Sequence, residues 1–314
     1  MLKLNLINFH LTRSSTNNII YSSNLSLIKG VQLTSFNVAI KHFQIRSIVI
    51  AYFPTNTGLP TTFTPEFPEW FAGTIDGDGH FIRHKASIRR PYDSKATGLE
   101  ITIELKDLPL LQYIQKTLNC GSIRPVGSGR KAYDFTVRNK AAIIIIANCV
   151  NGRIRNTIRL PQFIEVCKRL DIVVKDSIPL MKDSFYFAGF FDADGSICYS
   201  LDKRCNNRPN LSISISNKYI VNLQIIQDIF GGNISFCNSE HGGLHTWRHN
   251  REGIFKITDY FRDKCKSNKS VLFFIVDEYY HLLDLHAYKS DSIHYNEWLL
   301  FMVKWKARDD FRIF

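Results

Sequence analysis

Two stretches of the chain alternate between apolar and polar residues, and each is followed by a helical pattern. In residues 99–105 every second position is Leu or Ile, and residues 211–216 repeat that alternation. A period of two predicts a strand with one buried face and one open face. Residues 107–119 and 219–230 instead carry apolar side chains three and four positions apart, which predicts amphipathic helices.

The remaining predicted elements follow the same order in both halves of the chain. A clear turn, Gly127-Ser128-Gly129, divides the strands of one hairpin. The order helix, hairpin, helix, hairpin, helix occurs twice and predicts an α+β fold, in which two pseudo-symmetric αββαββα repeats each form a four-stranded antiparallel sheet. The first half is predicted to add strands at 80–90, 121–126 and 131–138 and helices at 139–150 and 160–170; the second adds strands from Ile197, at 233–237 and at 245–249, and helices at 268–287 and 292–307.

One ten-residue pattern occurs twice, at an offset of 116 residues. Residues 70–79 read WFAGTIDGDG and residues 186–195 read YFAGFFDADG. Each copy predicts a short helix that ends at a glycine, with Ala and Gly along one side. Because small residues let two helix backbones approach closely, we expect the two helices to pack against each other. Asp78 and Asp194 then emerge side by side.

Two adjacent carboxylates in this position are electrostatically unfavourable by themselves. Each lies at the C-terminal end of a helix, where the dipole is negative, and each faces the like charge of the other. A divalent cation relieves both effects, and Mg²⁺ (or Mn²⁺) accepts a few carboxylate and carbonyl oxygens together with water and phosphate. The pair Asp78 and Asp194 therefore predicts a divalent metal site.

The two copies resemble the motif of the LAGLIDADG homing endonuclease family, in the form in which one chain carries both motifs. The resemblance implies that the last acidic residue of each motif, Asp78 or Asp194, binds the metal. It also implies that the preceding residue, Gly77 or Ala193, contributes its backbone carbonyl. The first acidic residue of each motif falls on the last helical turn, where a structural role is expected.

The family usually adds a basic residue near the start of the helix that closes each repeat. Lys269 is the best match in the second half, and Arg159 takes the corresponding place in the first half. Arginine does not release a proton near neutral pH, so Arg159 could stabilise charge but could not act as a base. Both residues are candidates for the catalytic site.

The two predicted sheets offer a surface for double-stranded DNA. If each sheet packs on helices through one face, the two open faces can form a saddle, and strands can read base edges in the major groove. The candidate DNA contacts are Arg83, Lys85, Glu100, Thr102, Arg124, Lys131 and Arg138 in the first half, and Ser200, Lys203, Arg208, Ser212, Ser214, Asn233 and Arg248 in the second.

Composition and charge agree with a nucleic-acid partner. The chain has 314 residues, 45% hydrophobic and 22% charged, and a net charge of +12, which favours a polyanion. No apolar run reaches the eighteen or so residues of a membrane span, so no membrane partner is expected. Residues 1–60 contain five basic residues and no Asp or Glu, a composition that fits an organellar transit segment and equally a stretch encoded by AT-rich organellar DNA. Both interpretations indicate an organelle, a mitochondrion or a chloroplast.

The domain boundaries follow from these patterns. Residues 1–60 form a basic extension that is poorly ordered or serves targeting, and a Pro- and Thr-rich run separates it from the first repeat, residues 61–170. A linker at 171–182, the second repeat at 183–290 and a C-terminal helical tail at 291–314 complete the chain. A monomer is expected, because one chain carries both motifs.

One competing motif is a set of histidines spaced by four, His241, His245 and His249, as in a zinc site on a helix. The pair Gly242-Gly243 and the β-rich residues after it favour a hairpin instead. In a hairpin this spacing does not bring three rings to one ion, so the zinc hypothesis is disfavoured.

Three functions remain open at this point. The first is a site-specific DNA endonuclease encoded in a mobile group I intron, which cuts both strands of a long asymmetric target with divalent metal. The second is an RNA maturase that binds its own group I intron and assists splicing. The third is a DNA-binding relative without cleavage, which the presence of both Asp78 and Asp194 disfavours.

Overall fold

The computed structural model describes nine stretches of the chain, which fall into two units, Met1–Gly58 and Leu59–Phe314. Within the first unit, strand β1 (Gln32–Ile40) pairs antiparallel with β2 (Phe43–Ala51). This hairpin lies where composition predicts little fixed structure. The targeting role of residues 1–60, and the other predicted domain boundaries, stay predictions. The described residues are 32–40, 43–51, 59–60, 62–83, 97–127, 131–202, 207–238, 242–249 and 251–307.

The first repeat begins with the helix of the first motif and contains one four-stranded sheet. All neighbouring strands of that sheet are antiparallel, in the order β3-β4-β6-β5 as defined below. Its elements are α1 (Glu66–Asp78), β3 (Gly79–Arg83), β4 (Thr97–Glu104), α2 (Leu108–Leu118), β5 (Ser122–Val126), β6 (Ala132–Val137), α3 (Lys140–Val150) and α4 (Arg159–Arg169).

The second repeat has the same order of elements up to the end of its second hairpin and the same strand order, β7-β8-β10-β9, and helices α7 to α10 follow. The predicted α+β fold class with two antiparallel four-stranded sheets is therefore confirmed. The elements are α5 (Tyr186–Asp194), β7 (Gly195–Asp202), β8 (Arg208–Asn217), α6 (Val221–Phe230), β9 (Asn233–Cys237), β10 (Leu244–Arg248), α7 (Arg251–Lys264), α8 (Ser270–Phe273), α9 (Val276–Asp284) and α10 (Tyr295–Ala307).

Alternation along β4 places one face on the core, with one exception. Leu99, Ile101 and Ile103 are buried, as predicted. Leu105, predicted to follow them into the core, is 43% exposed. The strand ends at Glu104 and a 3-10 turn follows, so the period of two stops before Leu105. That prediction was wrong because alternation in sequence continues past the residue at which the backbone turns.

In the second repeat one helix was missed and one helix prediction was wrong. Helix α7 was not predicted, although its buried Ile254, Ile257 and Phe261 have helical spacing. The single helix predicted at 268–287 is two helices, α8 and α9. Arg262 on α7 donates through Nε to the carbonyl of Phe273 at 2.8 Å, which satisfies the end of α8 with a partner from outside the helix.

The two motif helices lie at the centre of the second unit and are buried on nearly all sides. In α1 the residues Trp70 to Asp76 are all buried, and in α5 the residues Tyr186 to Asp192 are all buried. Each helix packs on its own repeat with one side and on the other motif helix with the opposite side. Among the described residues, no helix has the length and hydropathy to cross a bilayer.

Candidate metal and nucleic-acid site

The motif helices α1 and α5 cross with their backbones in contact. A Cβ atom added to Gly73 would lie 2.0 Å from the carbonyl oxygen of Tyr186, and one added to Gly189 would lie 1.9 Å from that of Trp70. Real Cβ atoms do not approach backbone oxygens so closely, so only glycine permits this separation. The predicted pairing of the two helices is confirmed.

The crossing brings the C-terminal ends of both helices together. A Cβ atom on Gly77 would lie 2.3 Å from the Cβ of Ala193 and 3.4 Å from the Cγ of Asp194. Asp78 follows directly after Gly77, so the two acidic residues emerge at the same end of the helix pair. The structure therefore places Asp78 and Asp194 side by side, as the repeated motif predicts.

Burial raises the pKa of both carboxyl groups. The pKa of Asp78 rises from 3.8 to about 7, because of desolvation and then the negative charge of Asp194. Desolvation raises the pKa of Asp194 to about 6, while the charges of Lys269 and Arg159 act in the opposite direction. Two partly buried acids thus face each other beside two cationic side chains.

The first acidic residue of each motif is buried and hydrogen-bonded across the helix crossing. Trp70 donates through Nε1 to Asp192 at 2.8 Å, and Tyr186 donates its hydroxyl to Asp76 at 2.7 Å. These donors occupy the same position of the two motifs, so each repeat holds the acidic residue of the other. The structure thus gives Asp76 and Asp192 a packing role. Trp70 and Tyr186 both carry a hydrogen-bond donor on an aromatic ring at the first position of the motif. This is the one signal in the sequence that could have indicated these bonds.

The same two carboxylates also form hydrogen bonds to the loops that carry the two predicted basic residues, Arg159 and Lys269. We call residues 155–159 the arginine loop and residues 266–269 the lysine loop. Asp76 accepts from the amides of Arg155 at 2.6 Å and Asn156 at 3.1 Å. Asp192 accepts from the amides of Lys266 at 2.8 Å and Ser267 at 3.0 Å. Each loop is thereby fixed to the motif helix of its own repeat.

The two basic side chains, Lys269 and Arg159, contact the carbonyl oxygens at the ends of the motif helices. Lys269 donates through Nζ to the carbonyls of Asp192 at 2.7 Å and Ala193 at 3.0 Å. Arg159 donates through Nη2 to the carbonyl of Gly77 at 3.5 Å. A cation at the negative end of a helix dipole is favourable. The carbonyls of Gly77 and Ala193, the predicted metal ligands, each keep a second lone pair.

The open face of the first sheet contains both predicted and unpredicted polar residues. The register places Thr102 opposite Asp134 and Asp134 opposite Arg124, and Thr102 donates to Asp134 at 2.6 Å. Arg124, Lys131 and Arg138 are exposed, and Glu100 is partly exposed. Arg83 ends β3 by its backbone, and Lys85 lies outside the described residues. Alternation in β3, β5 and β6 could have added His80, Ser122, Asp134 and Thr136.

The open face of the second sheet carries hydroxyl, amide and guanidinium groups. Ser214, Arg248 and Asn233 lie in one row across β8, β10 and β9. Ser212 lies on the same face, partly buried and within 3.4 Å of the sulfur of Cys198. Ser200 and Arg208 are exposed, and Lys203 lies outside the described residues.

The predicted hairpin at the histidines is confirmed for its described part. His245 lies within β10, and His249 contacts the carbonyl of Phe230 through Nε2 at 2.9 Å. His241 lies outside the described residues. In the part of the chain that the structure describes, no three His, Cys, Asp or Glu side chains form a metal-binding group, so the candidate site consists of two acids and neighbouring carbonyls.

A model of the LAGLIDADG endonuclease family matches residues 71–169 and 187–280. The chain belongs to the LAGLIDADG endonuclease family. The two matched regions start within α1 and α5, so the family model recognises the same two repeats that the motif defines. The predicted resemblance is confirmed.

Two curated relatives cover most of this chain. The intron-encoded RNA maturase bI4 of Saccharomyces cerevisiae is 35% identical over 96% of the chain and 46% of its own length. The probable intron-encoded endonuclease aI2 of Debaryomyces hansenii is 30% identical over 79% of the chain and 38% of its own length. The chain thus spans less than half the length of either relative.

Solved structures agree with the fold of this LAGLIDADG chain. The I-LtrWI LAGLIDADG homing endonuclease bound to target DNA has a TM-score of 0.54, at 14% identity, over 77% of this chain and 97% of its own. At that identity the likeness concerns the fold alone. It supports the pseudo-symmetric arrangement of two sheets predicted from the repeated order of elements.

Proposed function

We propose that this protein is a site-specific double-strand DNA endonuclease that hydrolyses phosphodiester bonds with a divalent metal. The observation that carries the proposal is the convergence of Asp78 and Asp194 at the crossing of the motif helices, with neither acid replaced. Two curated relatives are named intron-encoded, so we place the gene in an organellar group I intron and the protein in mitochondria or chloroplasts.

A divalent cation fits the groups at this crossing. Asp78, Asp194 and the carbonyls of Gly77 and Ala193 offer only oxygen atoms, the ligands that Mg²⁺ and Mn²⁺ prefer. Burial and like charge raise the pKa of Asp78, so a cation would favour the ionised pair. When bound, such an ion polarises phosphate oxygens and activates water for hydrolysis.

Two basic residues supply positive charge beside the acids. Lys269 lies beside Ala193, and Arg159 lies beside Gly77, so each half of the site has one cation at a helix end. Arg159 keeps its proton at neutral pH and stabilises negative charge. The two halves of the site therefore carry different cationic groups, a guanidinium in one and an ammonium in the other.

The open faces of the two sheets provide the proposed interface with a long asymmetric target. Exposed Arg124, Arg138, Arg208 and Arg248 can pair with phosphates or with guanine edges, and Ser and Asn side chains can contact bases. The two faces differ in sequence, which suits a target whose halves differ. A monomer suffices, because one chain contributes both acids.

Cleavage of the intronless insertion site tests this proposal. The purified protein is incubated with a duplex that spans this site, in MgCl₂ or in EDTA, and the products are resolved on a denaturing gel. We expect two cut strands in Mg²⁺ only, and no cleavage by Asp78→Asn or Asp194→Asn. The control Asp228→Asn makes the same change at an exposed carboxylate on α6. Cleavage at the wild-type rate by either acid variant would contradict the proposal.

The second candidate function is assistance to splicing of the chain's own intron RNA. It is favoured by the relative that covers 96% of the chain, which is named an RNA maturase. Filter binding with the intron RNA and with a scrambled RNA of equal length, followed by a splicing assay, tests it. Tight intron binding and faster splicing, together with no DNA cleavage, would favour the maturase over the endonuclease.

A further inference from the structure

Two buried side chains outside the motifs reach from each repeat into a loop of the other. Asp107, in the first repeat, accepts a hydrogen bond through Oδ1 from the amide of Asn268 at 2.8 Å. Asn222, in the second repeat, accepts one through Oδ1 from the amide of Thr157 at 3.0 Å. Asn268 belongs to the lysine loop and Thr157 to the arginine loop. Both contacts therefore cross the boundary between the repeats.

The two acceptors occupy equivalent places in the fold. Asp107 ends the turn between β4 and α2, and Asn222 is the second residue of α6, which follows β8. In each sheet this is the point at which the second strand gives way to a helix. Asp107 is 7% exposed and Asn222 is 8% exposed. Polar groups this deeply buried cost free energy unless they are hydrogen-bonded, so losing either bond would destabilise the local structure.

Each loop is held from two directions at consecutive amides. In the lysine loop, Ser267 donates to Asp192 and Asn268 donates to Asp107. In the arginine loop, Asn156 donates to Asp76 and Thr157 donates to an Asn222 oxygen. The motif carboxylate fixes the loop from its own repeat, and the second acceptor fixes it from the other repeat. These hydrogen bonds therefore also fix the position of the basic residue that ends each loop, Arg159 or Lys269.

We infer that Asp107 and Asn222 are positioning residues, each of which orients the basic side chain of the opposite repeat and thereby controls cleavage of one DNA strand. Asp107 acts through Asn268 on Lys269, and Asn222 acts through Thr157 on Arg159. This inference rests on the proposed endonuclease function. A base that shifts by about 1 Å can lose on the order of 100-fold in rate, so loss of one acceptor is expected to slow one strand selectively.

The two halves differ in the strength of this hold. Asp107 offers a carboxylate and Asn222 a neutral amide, and hydrogen bonds to ionised acceptors are roughly twice as strong. Asp107 also lines the cleft of about 420 Å³ that contains Asp78 and Lys269. We therefore expect Asp107→Ala to have the larger effect of the two substitutions.

Amide hydrogen exchange tests the positioning without any cleavage. Asp107→Ala is expected to speed exchange at least tenfold in residues 266–270 and to leave residues 155–159 unchanged, and Asn222→Ala is expected to do the reverse. The conservative variants Asp107→Asn and Asn222→Asp keep an acceptor oxygen and should restore most of the protection. Asp228→Ala, an exposed change on α6, serves as the control for folding.

Strand-resolved cleavage tests the functional consequence. A target duplex labelled with a different dye on each strand is cut in Mg²⁺, and nicked and doubly cut products are followed with time. We expect Asp107→Ala and Asn222→Ala to slow opposite strands about 10- to 100-fold and to accumulate opposite nicked intermediates. The two conservative variants should cut both strands at nearly the wild-type ratio.

The outcomes separate this inference from the proposed function. Unchanged exchange in both alanine variants overturns the inference, and so does equal slowing of both strands by each variant. If the wild-type protein cuts no DNA, the endonuclease proposal and the strand assignment both fail. If each alanine variant then still speeds amide exchange only in its predicted loop, the positioning of the two basic residues stands. If exchange speeds up in both loops alike, the positioning is overturned as well.

Discussion

The substitution Asp78→Asn should stabilise the protein when no divalent metal is present. The pKa of Asp78 is raised from 3.8 to about 7, first by desolvation and then by the charge of Asp194. Ionising this group at pH 8 therefore costs the folded state free energy. A difference of about 3 pKa units corresponds to about 4 kcal/mol. Because both carboxylates are partly exposed and solvent screens them, we expect about half of this value, about 2 kcal/mol.

The sign of the pH dependence follows from the same values. The folded protein binds more protons than the unfolded chain between pH 3.8 and about 7, so the stability of the metal-free wild type falls as pH rises through that window. The pKa values of Asp194 and Asp76, both raised to about 6 mainly by burial, add to the slope. Asp78→Asn should therefore reduce the slope without removing it.

Urea unfolding in EDTA, at pH 5.5 and pH 8, measures both effects. We expect Asp78→Asn to exceed the wild type by about 2 kcal/mol at pH 8 and by about 1 kcal/mol at pH 5.5, with Asp228→Asn within about 0.5 kcal/mol of the wild type at both. Mg²⁺ at ten times its dissociation constant should stabilise the wild type and Asp228→Asn by about 1.4 kcal/mol, but not Asp78→Asn. A variant that is less stable than the wild type at pH 8 in EDTA would refute the reasoning.

Three further predictions concern the helix crossing, the interlocked carboxylates and the DNA surface. Gly189→Ala places a methyl group against the carbonyl of Trp70 and should cost about 3 kcal/mol in urea unfolding, whereas Gly127→Ala, with open space around it, should cost about 1 kcal/mol for its positive φ. Asp192→Ala leaves three donors unpaired and should lower the free energy of unfolding by about 3 kcal/mol or more. Arg124→Ala should weaken DNA binding and reduce the salt dependence of affinity by about one phosphate contact, measured by fluorescence anisotropy.

Each of these has a result that would contradict it. Equal costs for Gly189→Ala and Gly127→Ala would mean that the backbones do not touch at the crossing. A small loss of stability in Asp192→Ala would mean that its donors find other partners. Unchanged salt dependence in Arg124→Ala would place that side chain away from the DNA phosphates.

Much of the fold is predictable because its information is local. Strict alternation in 99–104 and 211–216 yields the central strands, and the Ala and Gly positions of the motif yield the helix crossing. Local patterns fail where a partner from elsewhere decides the backbone. Arg262 on α7 donates a hydrogen bond to the carbonyl of Phe273 at the end of α8, and no residue pattern between positions 268 and 287 indicates that the helix breaks there.

The amino-acid sequence by itself determined the repeat, the paired acids and the family, since these depend on residue type and spacing. Only the tertiary structure decided which donors and acceptors form hydrogen bonds between the two repeats. Trp70 and Tyr186 each donate a hydrogen bond to a carboxylate of the opposite motif, and Asp107 and Asn222 each accept one from a loop of the opposite repeat. Such bonds join residues between 65 and 161 positions apart, and their geometry exists only after the two repeats have packed. Apart from the aromatic donor at the first position of both motifs, spacing along the chain carries no signal for contacts of that kind.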